Sequence, residues 1–350
     1  MPFRLKQQEQ ASSRIHDLII PQARGNAAFT MVELLVAAAL TLLILGILGA
    51  TTNHVSKAWV RSDSQVTSFR STRLAFERLN RTISQATLNP YWDYVDAAGT
   101  RRTATSPSNW TPSRYQRQSD QHFYIAPASS LGIELPNGVT QSCFFQAPIG
   151  YSNDSNLRPL NNLLNAVGFY VEFNSDLDYS LSKPSFVTGT PKYRYRLMQI
   201  LQPSDLLGVY NAAVPNGWIT SAMAEKRDYA RPIADNIIAL ILQAKTSDTA
   251  PPLAPSYTYD SRDATNPRTF SQLPPIIEVT MVAIDEKSAA RLAQASGTSA
   301  PDLYPENPFL GDAADFDTDL QRLRDKLQSQ GVDYRIFTSS VRIDAAKWSD

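Results

Sequence analysis

Between Phe29 and Ala50 the chain runs for 22 residues with one ionisable side chain, Glu33. A helix rises about 1.5 Å per residue, so this stretch is ~33 Å long, enough to cross a hydrocarbon layer about 30 Å thick. Twelve of its residues are Leu, Ile, Val or Phe. At roughly −0.3 to −0.6 kcal/mol each they favour insertion by about 5 kcal/mol. An acid at the centre of such a helix costs about 3 kcal/mol, and less near the end where Glu33 sits. Insertion wins, and Glu33 is a cost that any apolar neighbour would avoid.

An acid five residues into an apolar segment that opens Phe-Thr has a known setting. Phe29-Thr30-Met31-Val32-Glu33-Leu34-Leu35 resembles the processing motif of type IV pilins and type II secretion pseudopilins. The resemblance implies that a leader is removed just before Phe29 and that the new amine is N-methylated. Ala28 is then the last leader residue and Glu33 the fifth mature one, with a role in assembly. The family usually has Gly before the cut, whereas here the nearest is Gly25. The alternative is a plain signal anchor with an incidental acid.

Residues 1–28 carry Arg4, Lys6, Arg14 and Arg24 against Glu9 and Asp17, a mildly basic, polar leader that takes no part in the fold. An ordinary secretory signal fits less well, because the apolar run exceeds the usual 7–15 residues and no small-x-small site follows Ala50. Arg14 and Arg24 on one side nearly balance Lys57 and Arg61 on the other, so charge does not settle orientation. The resemblance implies a cytoplasmic N-terminus, a single pass through the inner membrane and a periplasmic head.

From Thr51 to Leu88 there is neither proline nor glycine. Val55, Trp59, Val66, Phe69, Phe76 and Ile83 recur at helical spacing, with Leu74 and Leu79 widening the stripe. Asn89-Pro90 stops the helix, because the residue before proline is pushed out of the α region. Phe29–Leu88 therefore reads as one helix, apolar all round in its first half and amphipathic over 51–89. Residues 90–120 are rich in Pro, Ser, Thr and Asn and read as a long surface loop.

Beyond Gln121 the pattern turns to strands: His122–Ala126, Ser142–Ala147, Val167–Phe173, Tyr193–Ile200, Ile237–Ala244, Ile276–Ile284 and Tyr334–Ile343. Most are β-branched or aromatic and bounded by turn residues. Tyr193-Arg-Tyr-Arg-Leu alternates as a half-buried strand should. Three stretches resemble the strands of J-type minor pseudopilins and W-type minor pilins: Arg231-Pro-Ile-Ala-Asp-Asn-Ile-Ile-Ala-Leu240, Leu273-Pro-Pro-Ile-Ile-Glu-Val-Thr-Met-Val282 and Tyr334-Arg-Ile-Phe-Thr-Ser-Ser-Val-Arg-Ile343. The last two, with Asp285-Glu-Lys and Ala346-Lys-Trp348, are also similar to the large pilin-like proteins called Verru_Chthon cassette protein C.

Function classes can be narrowed. Lys plus Arg and Asp plus Glu both total 33, so no net charge points to nucleic acid. One cysteine, Cys143, excludes an intramolecular disulfide. It lies between apolar neighbours, where a buried small hydrophobe fits better than a reactive thiol. The three histidines, His16, His54 and His122, are scattered. No phosphate-binding glycine loop and no G-x-S-x-G elbow occurs. Asp315, Asp317 and Asp319 have calcium-loop spacing, but Leu320 and Lys326 stand where such a loop needs Gly and Glu. With Leu320, Leu323, Leu327 and Gly331 behind them, the acids read as the start of a helix. Asp176 and Asp178 read as a loop.

The expectation is an α+β protein: a leader (1–28), a membrane and assembly helix (29–50), its amphipathic continuation (51–89) and a head (90–350) of antiparallel sheet. The resemblance implies a minor pilin or pseudopilin. Its partners would be a prepilin peptidase, other subunits, an inner-membrane assembly platform and the membrane. No catalytic, metal or cofactor site is called for. The competing class is a signal-anchored extracytoplasmic enzyme or binding protein.

Overall fold

A computed structural model describes residues 30–133, 135–136, 140–157, 159–178, 190–210 and 217–349, without the side chains of 53–54 and 56–68. In chain order the elements are α1 (Met31–Ser84), β1 (Tyr91–Val95), β2 (Arg114–Gln118), β3 (Tyr124–Pro127), β4 (Gln141–Pro148), β5 (Leu164–Ser175), β6 (Tyr193–Gln202), α2 (Gly217–Ala224), α3 (Lys226–Tyr229), β7 (Ala230–Asp235), β8 (Ile237–Lys245), β9 (Tyr259–Asp260), β10 (Ile276–Ile284), α4 (Glu286–Ser296), α5 (Phe316–Ser329) and β11 (Tyr334–Arg342). The chain divides into two units, Met1–Arg61 and Ser62–Asp350. It is a mixed helix and antiparallel-sheet protein with an apolar N-terminal helix.

The second unit, the head, is built on three sheets. Six strands follow the order β7-β6-β5-β4-β3-β9, three follow β11-β10-β8, and β1 pairs with β2. Every pairing is antiparallel. Successive side chains point to opposite faces of a strand. Cys143 and Phe145 of β4 and Val167, Phe169 and Val171 of β5 therefore enter one core with β8 and β10. Phe144, Ala166 and Tyr170 face the other way and pack with Trp218, Ile219 and Ala222 of α2. A sheet covered on both faces needs near-continuous apolar strands, which is why Cys143-Phe144-Phe145 does not alternate.

The far part of α1 belongs to this core. Phe69, Ala75, Phe76, Leu79 and Ile83 are buried in the main cluster, and Phe76 meets Phe337 of β11 at 5.7 Å. Leu74, expected on the same stripe, is 60% exposed. It lies two residues from Phe76, and positions i and i+2 face nearly opposite ways on a helix. Val55 is exposed too, in the first unit. Trp59 and Val66 lie outside the described side chains.

All seven expected strands are present, with ends shifted by a few residues. Three expectations need correction. The helix read as far as Leu88 ends at Ser84, and Thr87 already pairs with Gln146 of β4. Residues 90–120 are not all loop, since β1 and β2 form a paired ribbon with Tyr94 opposite Tyr115. The β6 alternation does not mark a half-buried strand, because Arg196 is 4% exposed. It donates from Nε to Asp235 Oδ1 (2.7 Å), from Nη1 to Asn174 Oδ1 (2.7 Å) and from Nη2 to the Lys192 carbonyl (3.0 Å). α4 was also unforeseen. Its N-cap Asp285 accepts from Ser288 N–H (3.1 Å), and Gly297 follows its last residue.

The chain changes sheets at Asn236. β7 ends the six-stranded sheet and β8 opens the three-stranded one, and Asn236 between them has φ +63°. Asn tolerates this left-handed conformation better than most residues. Its side-chain amide is held by Glu286 (2.7 Å), itself paired with Arg194 (2.9 Å).

Candidate functional site

The candidate site is the start of α1. Thr30 precedes the helix, and its Oγ1 accepts from Glu33 N–H (3.3 Å). In return Glu33 Oε2 accepts from Thr30 N–H (3.0 Å) and from the Thr30 hydroxyl (3.1 Å). This reciprocal pair is a capping box, which satisfies two of the amides a helix start leaves unpaired. The signal was in the sequence: Thr-x-x-Glu ahead of an apolar run. The second Glu33 oxygen, Oε1, accepts from no described residue. Ala28 and Phe29 lie outside the described residues.

Behind the cap, Met31–Thr52 is long and apolar enough to cross a membrane, and none of it is buried within the chain. Twelve large apolar side chains from Met31 to Leu48 are exposed. Burying each is worth about 1.5–3 kcal/mol, so leaving them in water costs ~20–35 kcal/mol. A whole domain is stable by only about 5–15 kcal/mol. A segment with this surface could serve as a membrane anchor or as a signal sequence.

The head holds one buried ionisable pair that resembles catalytic apparatus. His122 Nε2 lies 2.8 Å from Asp260 Oδ1, and Trp218 Nε1–H donates to His122 Nδ1 (3.0 Å). An indole N–H only donates, so Nδ1 is the acceptor and the neutral ring carries its proton on Nε2. Both nitrogens are then occupied, and no lone pair is left to take a proton from a substrate. The pair clamps the start of β3 to β9 and α2. Burial holds the His122 pKa below its ordinary value against the opposing hydrogen bond to Asp260. Burial pushes Asp260 up, but its bonds to His122 and Arg262 outweigh this and hold it below the usual carboxylate range.

A pH dependence follows. Unfolded, His122 titrates near 6.5, and folded it titrates lower, so between the two values the unfolded chain binds more protons. Stability contributed by the neutral ring is present above pH ~6.5 and is lost as pH falls below it. Asp260 acts lower, below about pH 4, where unfolded carboxylates protonate. The thermal midpoint should therefore drop between pH 6.5 and 5, and His122→Gln should flatten that slope. An unchanged slope would show that His122 is not its source.

The other candidates resolve structurally. Cys143 is fully buried, and burial pushes its thiol far up. Asp319 accepts from Leu310 N–H (2.7 Å) and from Arg322 (2.9 Å), while Asp315 and Asp317 are exposed at the start of α5. Leu320, Leu323 and Leu327 form the buried stripe of that helix. Asp176 accepts from Lys192 N–H (2.9 Å) and Asp178 from Ser175 N–H (2.9 Å), as loop closures do. Among the described residues no three His, Cys, Asp or Glu converge as metal ligands would.

No family model, no curated protein and no solved structure matches this chain. The functional reading therefore rests on its own residues.

Proposed function

We propose that the chain is a minor pilin or pseudopilin, a subunit of a type IV pilus-like or type II secretion-like filament. The observation that carries this reading is Phe29-Thr-Met-Val-Glu33 leading into an apolar helix, Met31–Thr52, long enough to cross a membrane. A prepilin peptidase cuts the membrane-anchored precursor between Ala28 and Phe29, and the new amine is methylated. The apolar segments of several subunits then bundle at an inner-membrane assembly platform. The head stays outside the membrane, and its size suits a low-copy or tip position.

In this reading Glu33 has two roles, one per oxygen. Oε2 caps its own helix, and Oε1 receives the Phe29 amine of a neighbouring subunit. The test is co-recovery of the protein with sheared filaments, together with the identity of its mature N-terminus. One observation favours a second reading, a signal-anchored extracytoplasmic protein: the capping box already gives Glu33 a use within its own chain. Neighbouring short reading frames that share the Phe-Thr-x-x-Glu start favour assembly over that reading.

A further inference from the structure

The β1–β2 ribbon carries side chains that neither the core nor the N-terminal motif uses. Trp92, Tyr94 and Tyr115 are 55%, 58% and 58% exposed. The register sets Trp92 opposite Arg117 and Tyr94 opposite Tyr115, and strand alternation puts all four on one face. The Trp92 and Tyr115 rings stack at 5.5 Å, and Tyr94 and Tyr115 meet at 5.1 Å. The Arg117 guanidinium lies 5.7 Å from the Trp92 ring centre. Beside this platform is an open cavity of about 500 Å³, lined also by Ala264, Pro267 and Phe270. That volume suits a small ligand or one unit of a polymer.

The charge of the cavity is one-sided. Arg114 and Arg117 line it, and no carboxylate does. Arg117 Nε is buried with no hydrogen-bond partner among the described residues. A planar guanidinium fork without an acceptor matches a carboxylate brought from outside. Burial also pushes the Arg117 pKa down, as expected of a cation short of a counter-ion.

The platform selects the rest of the ligand. Exposed rings offer broad, electron-rich faces, and polarised C–H groups pack against such faces. The flat side of a pyranose ring is a row of such C–H groups. Single-stranded nucleic acid also stacks on aromatics, but it needs a basic groove that tracks its backbone over several nucleotides, and this cavity is lined by two arginines, Arg114 and Arg117. We propose that this face binds an acidic polysaccharide of the uronic-acid class, with a sugar ring on Trp92 and Tyr115 and its carboxylate on Arg117.

The test uses the full chain in detergent micelles and titration calorimetry with three probes: an oligogalacturonate, a neutral cello-oligosaccharide and a deoxythymidine oligomer. The oligogalacturonate should bind at least about tenfold more tightly than the neutral oligomer, and Arg117→Gln should erase that preference. Trp92→Ala and Tyr115→Ser should each weaken binding about tenfold or more, with unchanged circular dichroism. Leu206→Ala, at an exposed site elsewhere, should change nothing. Failure of the oligogalacturonate to bind, full binding by the Trp92 and Tyr115 variants, or tighter binding of the deoxythymidine oligomer would each overturn the proposal. None of these readouts depends on filament assembly.

Discussion

Glu33→Leu should reach the membrane and lose its leader as the parent chain does, yet fall at least about tenfold in recovery with filaments. Insertion improves, because an acid is removed from an apolar segment. In the proposed reading, cleavage would leave a protonated α-amine on Phe29, four residues ahead of Glu33 in the sequence. In the bundle proposed above, the amine of one subunit would meet Glu33 Oε1 of another, which accepts from no described residue of its own chain. Both are partly desolvated, so leaving one unpaired costs about 3 kcal/mol, roughly a hundredfold in affinity. Thr30→Ala separates the two roles of Glu33. It removes the Thr30 half of the capping box, at about 1 kcal/mol, and keeps the carboxylate. It should assemble nearly normally. If Thr30→Ala fails as badly as Glu33→Leu, the acid acts through its own helix and not through a neighbour.

Arg196→Leu should be the most damaging change within the head. The guanidinium is 4% exposed and bonds Asp235, Asn174 and the Lys192 carbonyl. Leucine leaves the buried Asn174 unpaired and strips the exposed Asp235 of its partner, at about 3 kcal/mol. For a head of this size that lowers Tm by about 10 °C. Arg196→Lys keeps the charge but not the fork, and should fall between the two. A loss under about 1 kcal/mol for Arg196→Leu would place the side chain in water. Differential scanning calorimetry reads all three proteins.

Much of the head was legible because its strands obey local rules. Val, Ile, Phe and Tyr runs bounded by Pro, Gly and Asn marked β4, β5, β8 and β10, and the leucine stripe marked α5. What was missed depends on partners distant in sequence. Arg196 looks like a solvent-facing residue until Asn174 and Asp235 are brought against it. β1 and β2 are short, β2 is polar, and a long turn separates them, so their pairing is the main evidence that they are strands. α4 differs from these, since its cap Asp285 and its stop Gly297 both stand in the sequence. At the N-terminus the apolar run and its acid were plain, while the capping role of Thr30 was hidden behind the longer-range motif.

The most direct measurement is the mass and N-terminal sequence of the protein recovered from membranes. The account predicts a chain 28 residues shorter than the full sequence, beginning at Phe29 with an N-methylated amine. Retention of residues 1–28, or a start elsewhere such as Asn26 after Gly25, would contradict it.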